Sequence, residues 1–250
     1  MSPARATVHL VGAGPGAADL LTLRAARLLG EADIVFHDAL VPREILDLAT
    51  GRLVPVGKRS GRHATAQDFI NKRLADAARR HRVVVRLKGG DPMLFGRAQE
   101  EIDHLVRQGI RVEVVPGVTA ALAASADLAI SLTRRGLARS VTFVTPRVAP
   151  GAPGNGWLRA VPAADTAVIY MGSGEAEAIT AALLGAGKPA ATPVAVVENA
   201  SRADAVIRCG KLEALPILAP RETSGPALIL LGEAYRAAAA PLRRTASQAA

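Results

Sequence analysis

Residues 86–97 read Arg86-Leu87-Lys88-Gly89-Gly90-Asp91-Pro92-Met93-Leu94-Phe95-Gly96-Arg97, an apolar strand pattern that runs straight into a glycine-rich loop carrying both signs of charge. Val83, Val84, Val85 and Leu87 have the β-branched, apolar character of a buried strand. Gly89 and Gly90 relax the steric limits on φ and permit a close approach to the backbone, and Pro92 keeps a helix from starting early. Asp91 falls at the strand's carboxyl end, the edge where open α/β sheets bind ligands. An N-capping Asp in an ordinary strand-to-helix turn reads the same residues equally well, so other segments must decide.

Working outward, strand and helix patterns alternate on both sides. Strands are expected at 8–11, 34–36, 53–56, the run ending at Lys88, and 112–115. Helices are expected at 19–29, 42–48, 65–80 and 99–107. This order predicts an α/β domain with a largely parallel sheet. Thr65 and Asp68 supply a start signal for the 65–80 helix, whose Phe69, Ile70, Leu74 and Ala77 share one face. An alanine-rich helix, 118–126, follows Pro116-Gly117. Beyond it strands follow strands at 141–144, 167–170, 194–197, 205–208 and 227–231, with helices only at 176–184 and 212–215, which predicts a mixed sheet. The expectation is two α/β domains, 1–117 and 118–236, with a disordered tail at 237–250 that has no core pattern. Residues 148–156 read as a flexible loop.

At 250 residues, with 50% hydrophobic and 21% charged residues, the chain is long enough to bury a sizeable core without staples. The single Cys209 excludes an intrachain disulfide, and five scattered His with no H-x-x-x-H pair argue against a zinc centre. No stretch approaches a membrane span, and the first residues lead into a strand without a signal-peptide core. The reading is a soluble, metal-free protein of the reduced cytoplasm. The net charge of +9 is concentrated: between Lys58 and Lys88 ten Lys or Arg stand against Asp68 and Asp76. Arg134, Arg135, Arg139 and Arg147 form a second run without acids. Such fields attract nucleic acid or a small polyanion. With only 3% aromatic residues there are few platforms for stacking bases, which leaves a polycarboxylate or phosphate ligand at least as plausible.

The first strand ends in Gly12-Ala13-Gly14-Pro15-Gly16. A dinucleotide fingerprint needs G-x-G-x-x-G opening directly into a helix, and Pro15 removes an amide that a pyrophosphate would use, so a dinucleotide is disfavoured.

Val11-Gly12-Ala13-Gly14-Pro15-Gly16 with Leu20-Leu21-Thr22-Leu23-Arg24-Ala25 resembles the opening of the tetrapyrrole methyltransferase family, the class III S-adenosylmethionine enzymes. Asp38-Ala39-Leu40-Val41, Val56-Gly57-Lys58-Arg59-Ser60-Gly61, the 86–97 stretch with Glu100-Glu101, and Val115-Pro116-Gly117-Val118-Thr119-Ala120 agree in order. The second half adds 140–145, Tyr170-Met171-Gly172 and Val197-Glu198-Asn199, for a coverage of 7–236. The resemblance is strongest to members that C-methylate uroporphyrinogen III at two pyrrole carbons to give precorrin-2, on the way to siroheme or cobalamin.

That resemblance implies S-adenosylmethionine as donor, S-adenosylhomocysteine as product, and a homodimer with the donor in an interdomain cleft. It implies donor contacts at Pro15, Gly89, Gly90, Asp91, Leu94, Thr119, Ala120, Met171 and Ala200, the last standing where glycine is usual. Asp38 and Lys58 map to proton handlers and Arg97 to a substrate clamp or base. A pKa above ~12 favours the clamp for Arg97. Structural roles remain open beside these: a loop cap for Asp38, a carboxylate binder for Lys58, a bond from Arg97 to Glu100 or Glu101. A substrate with eight carboxylates would also account for the basic field. His37, Ala39, Ala98-Gln99, Arg134 and Pro146-Arg147 depart from the family pattern, mostly on the substrate side. Two alternatives remain: a sister methyltransferase acting on a later corrin precursor, and a basic nucleic-acid-binding α/β protein.

Overall fold

The computed structural model describes residues 7–56, 67–148, 151, 156–219 and 224–238. The chain divides into two compact units, Met1–Ala120 and Ala121–Ala250.

The first unit contains strands β1 (Thr7–Gly12), β2 (Ile34–His37), β3 (Arg52–Pro55), β4 (Val83–Lys88) and β5 (Arg111–Val115), with helices α1 (Leu23–Glu31), α2 (Arg43–Leu46), α3 (Gln67–Ala78) and α4 (Ala98–Arg107). All strand pairs are parallel, in the order β3-β2-β4-β1-β5. Strand residues alternate between two apolar layers, as a period of two requires. Val11, Val35, Val85 and Leu87 pack with Leu28, Leu29 and Ile45 of α1 and α2. Val8, Leu10, Phe36 and Val84 pack with Leu74 and Leu105 of α3 and α4. A sheet covered on both faces explains the near-continuous apolar runs.

The second unit contains α5 (Ala120–Asp127, which starts on the last residue of the first unit), β6 (Val141–Val144), α6 (Gly156–Ala163), β7 (Thr166–Tyr170), α7 (Ala176–Gly185), β8 (Pro193–Glu198), β9 (Val206–Lys211), α8 (Leu215–Leu218) and β10 (Ala227–Gly232). Its sheet runs β6-β7-β10-β8-β9, with only β6 and β7 parallel. Val161, Ile179, Leu183 and Leu215 of α6, α7 and α8 pack with Ile169, Val196 and Ile229. Two α/β units, one with a parallel and one with a mixed sheet, is the fold class that the element order predicted.

The same capping device starts a parallel pair in each sheet. Asp33, just before β2, accepts the Arg82 and Val83 N–H groups at 2.8 and 2.9 Å where the neighbouring β4 begins. Asp165, just before β7, accepts the Arg139 and Ser140 N–H groups at 2.8 and 3.0 Å and the Ser140 hydroxyl at 2.9 Å, next to β6.

Several expected boundaries move. The helix expected from residue 19 begins at Leu23, because Thr22 Oγ1 accepts the Ala25 N–H at 3.2 Å; residues 18–20 form a separate 3-10 turn. Helix α6 was not expected; the loop reading of 148–156 stops at its first residue, Gly156. Its Trp157, Leu158 and Val161 meet the core, and the glycines before it together with Pro162 in its last turn hide the pattern. Phe69 does not share the buried face of α3; it is 51% exposed, with the Arg73 guanidinium over its ring. Thr65 and the tail from residue 239 lie outside the described residues. Among the described residues no helix is long and apolar enough to cross a membrane.

Candidate active site

In the parallel sheet of the first unit the adjacent strands β1 and β4 send their crossovers in opposite directions and over opposite faces. From β1 the chain crosses over β4 to reach β2, and from β4 it crosses over β1 to reach β5. The carboxyl ends of β1 and β4 therefore flank a topological switch point, the kind of edge where an open α/β sheet binds its ligand. Those ends carry Gly12-Ala13-Gly14-Pro15-Gly16 and Gly89-Gly90-Asp91, the two glycine loops singled out in the sequence.

The loops are bonded to each other. The Gly14 N–H donates to the Gly90 carbonyl at 3.2 Å, and the Gly90 N–H donates back to Gly14 at 2.7 Å. Gly117, after β5, completes the group. A Cβ on Gly117 would lie 2.4 Å from the Gly90 oxygen, and one on Gly12 would lie 2.6 Å from the Gly117 Cα. Three backbones thus pack where no side chain fits. Asp91 ties them: its Oδ1 accepts the Met93 N–H at 2.8 Å and its Oδ2 the Gly117 N–H at 2.9 Å. Gly90 itself has φ +66°, and a Cβ there would meet nothing within 4 Å; at Gly89 it would meet only Leu40 Cβ at 3.7 Å. The turn's outer side is open.

The structure brings Pro15, Gly89, Gly90, Asp91 and Leu94 together, Leu94 by donating its N–H to the Asp91 carbonyl at 3.3 Å. Thr119 and Ala120 follow Gly117 at the start of α5. In the second unit, Tyr170 and Val197 both pair with Leu228 of β10, so Met171 and Ala200, which follow β7 and β8, stand at one edge of that sheet. Met171 takes φ +57° and is exposed, whereas Ala200 is buried. Beside Ala200, Glu198 accepts the Ser224 hydroxyl at 2.8 Å, and the Asn199 side chain donates to Ser224 and Asp204 at 3.0 Å each.

Asp38 lies just past β2, with its side chain 29% exposed, and its Oδ1 accepts the Arg86 Nη2–H at 2.5 Å. Arg97 sits at φ +55° before α4 and holds Glu100 through both ends of its fork, at 2.8 and 2.7 Å. Donation to the Glu100 carboxylate is the main influence raising the Arg97 guanidinium above its ordinary value, and the same bonding lowers Glu100. Lys58 lies outside the described residues.

One cluster went unread in the sequence. Arg86 and Lys88, counted with the solvated basic field, are 2% and 4% exposed. Alternation along β4 turns them both to the α3–α4 face, where Glu101, fully buried, accepts the Arg86 Nε–H at 3.1 Å, the Lys88 ammonium at 3.2 Å and the Gln67 amide at 3.0 Å, all on Oε1. Burial, and then the adjacent Arg86, push the Lys88 ammonium below the ordinary lysine value against the pull of Glu101. The adjacency of Glu100-Glu101 to a strand with charges at alternate positions was the available signal.

Fold, switch point and glycine loops together define a ligand-binding α/β enzyme framework of a particular class. Residues 7–216 match the model of the Tetrapyrrole (Corrin/Porphyrin) Methylases, and the chain belongs to that family. It is 44% identical over 228 residues, 90% of its length, to siroheme synthase 1 of Serratia proteamaculans, of which it covers 48%. The chain spans about half the length of the curated relatives it matches. It resembles the crystal structure of uroporphyrin-III C-methyl transferase from Thermus thermophilus complexed with S-adenyl homocysteine at TM-score 0.81 and 43% identity, covering 92% of this chain and 99% of that one. A cobalt precorrin-4 methyltransferase aligns at TM-score 0.79 and 27% identity, over 92% of this chain and 95% of that one.

Proposed function

We propose that the protein transfers methyl groups from S-adenosylmethionine to two pyrrole carbons of uroporphyrinogen III, giving precorrin-2, as a metal-free cytoplasmic homodimer. The observation that carries the reading is the open glycine turn at the switch point, bonded to Gly14 and tied to Gly117 through Asp91. The turn fits the donor: with no Cβ in the way, a ribose or adenine can approach the Gly89-Gly90 backbone, and adjacent carbonyls suit a cationic sulfonium. Pro15, Leu94, Thr119, Ala120, Met171 and Ala200 complete the proposed donor contacts. Asp91 serves through its two backbone bonds, shaping the turn.

When bound, the donor supplies an electrophilic methyl group. The protein's part is to place an electron-rich carbon in line with it and to manage the proton that the macrocycle loses. Asp38 is the proposed proton handler, together with Lys58. Arg97, already in a bidentate pair with Glu100, presents its remaining N–H groups to a substrate carboxylate. Arg134, Arg135 and Arg139, all exposed on the turn after α5, suit the other carboxylates of a polyanion.

The test is direct: purified protein, labelled S-adenosylmethionine and uroporphyrinogen III, with products resolved by mass. A dimethylated product supports the reading. Turnover only of a later corrin precursor supports the sister-enzyme reading. Salt-sensitive RNA binding without donor binding would reject both.

A further inference from the structure

We propose that Arg86 is the positioning residue for the Asp38 carboxylate, clamped from behind by Glu101, so that the Asp38–Arg86–Glu101 chain sets the aim of the proton handler. The inference rests on the reading of Asp38 as that handler.

Arg86 lies in a central strand, between residues whose burial needs no charge. Replacing a buried ion pair with apolar side chains of like volume is often neutral or stabilising, so stability alone gives no reason for a guanidinium there. Its geometry does. Each of its three nitrogens makes one bond: Nε–H to Glu101 Oε1 at 3.1 Å, Nη1–H to the Leu87 carbonyl at 3.1 Å and Nη2–H to Asp38 Oδ1 at 2.5 Å. A planar group held at two points can offer the third N–H in one direction only. The acceptor in that direction, Asp38, is the one member of the chain with substantial exposure, at 29% against 3% for Arg86 and 0% for Glu101. Glu101 is in turn fixed by Lys88 and Gln67, which share its Oε1. A lysine at position 86 would keep the charge but would lack the fork that reaches Glu101 and Asp38 at once.

The experiment compares Arg86→Lys, Asp38→Asn and the double variant in steady-state methylation of uroporphyrinogen III, with S-adenosylhomocysteine affinity measured by calorimetry. Arg86→Lys is expected to lower kcat about 10- to 100-fold, the scale of a misaimed reacting group, while KM and product affinity stay within about twofold. In the Asp38→Asn background the same change should lower kcat by less than about twofold, because the group it aims is gone. An Arg86→Lys enzyme with unchanged kcat, or an equal loss in both backgrounds, overturns the proposal while leaving the role of Asp38 intact. An unchanged kcat in Asp38→Asn overturns the Asp38 reading and the proposal with it. If Arg86→Lys does not fold, Glu101→Gln, which keeps the shape and loosens the clamp, is put through the same cycle and judged by the same criteria.

Discussion

Removing the Asp91 carboxylate tests whether the glycine turn is held in place or merely rests there. Asp91→Ala deletes two hydrogen bonds from backbone N–H groups to a charged acceptor, at 2.8 Å to Met93 and 2.9 Å to Gly117. Bonds of this kind contribute about 1.5–3 kcal/mol each when shielded. The Met93 bond is exposed and counts at or below the low end, while the Gly117 bond is part-buried. Together they predict a loss of about 2–4 kcal/mol, a large share of a typical total of about 5–15 kcal/mol. Asp91→Asn retains one acceptor oxygen and should lose about half as much. Urea unfolding reads both values. The same variants should bind S-adenosylhomocysteine more weakly, because the ligand must then order the Gly14–Gly90 turn itself; an ordering cost of about 1.4 kcal/mol corresponds to a tenfold rise in Kd. An unshifted unfolding midpoint would refute the tether. A destabilised variant with unchanged product affinity would refute the turn as a wall of the donor site.

Three further outcomes follow from the geometry. Gly117→Ala places a Cβ 2.4 Å from the Gly90 oxygen and 2.9 Å from the Gly12 Cα, both backbone, so it should cost about 1–3 kcal/mol or more in urea unfolding. Asp33 and Asp165 are held below their ordinary value of 3.8, chiefly by the Val83 N–H in one case and the Arg139 N–H in the other. A lowered carboxylate contributes stability that is present above its unfolded value and is lost as pH falls through its folded one. Stability to thermal unfolding should therefore fall below about pH 4, and the fall should be shallower in Asp33→Asn, Asp165→Asn and their combination. Tyr170 accepts the Ala121 N–H at 3.2 Å on its hydroxyl oxygen. Tyr170→Phe should cost about 1 kcal/mol and speed amide exchange at Ala121.

The parallel first sheet was readable because strands buried on both faces leave long apolar runs such as 83–85, and because helical periods separate them. The order of those strands was not. Nothing local in β1 or β4 says that their crossovers run in opposite directions, each over the other strand, so the switch point appears only when both strands are seen side by side. Helix α6 shows the opposite failure: its core residues Trp157, Leu158 and Val161 have helical spacing, but glycine and proline punctuation outweighs so short a pattern.

Charge and glycine, the two features that pointed to a ligand, each divide once side chains acquire directions. The basic excess between residues 58 and 88 counts every cation alike, yet Arg86 and Lys88 face inward and are matched by Glu101 and Asp38, so neither adds to the field an incoming polyanion meets. The glycines divide in the same way. Gly12 and Gly117 are required by backbone packing, since any Cβ would strike main chain below 3 Å, whereas Gly89 and Gly90 face open space. A motif that reads as one ligand-binding signature is therefore two devices, a packed hinge of three strand ends and an open turn mounted on it. Only the second can respond to what binds. Alanine at Gly89 should accordingly leave unfolding nearly unchanged while weakening product affinity, the reverse of the order expected at Gly117, and calorimetry set beside urea unfolding on the two variants decides it.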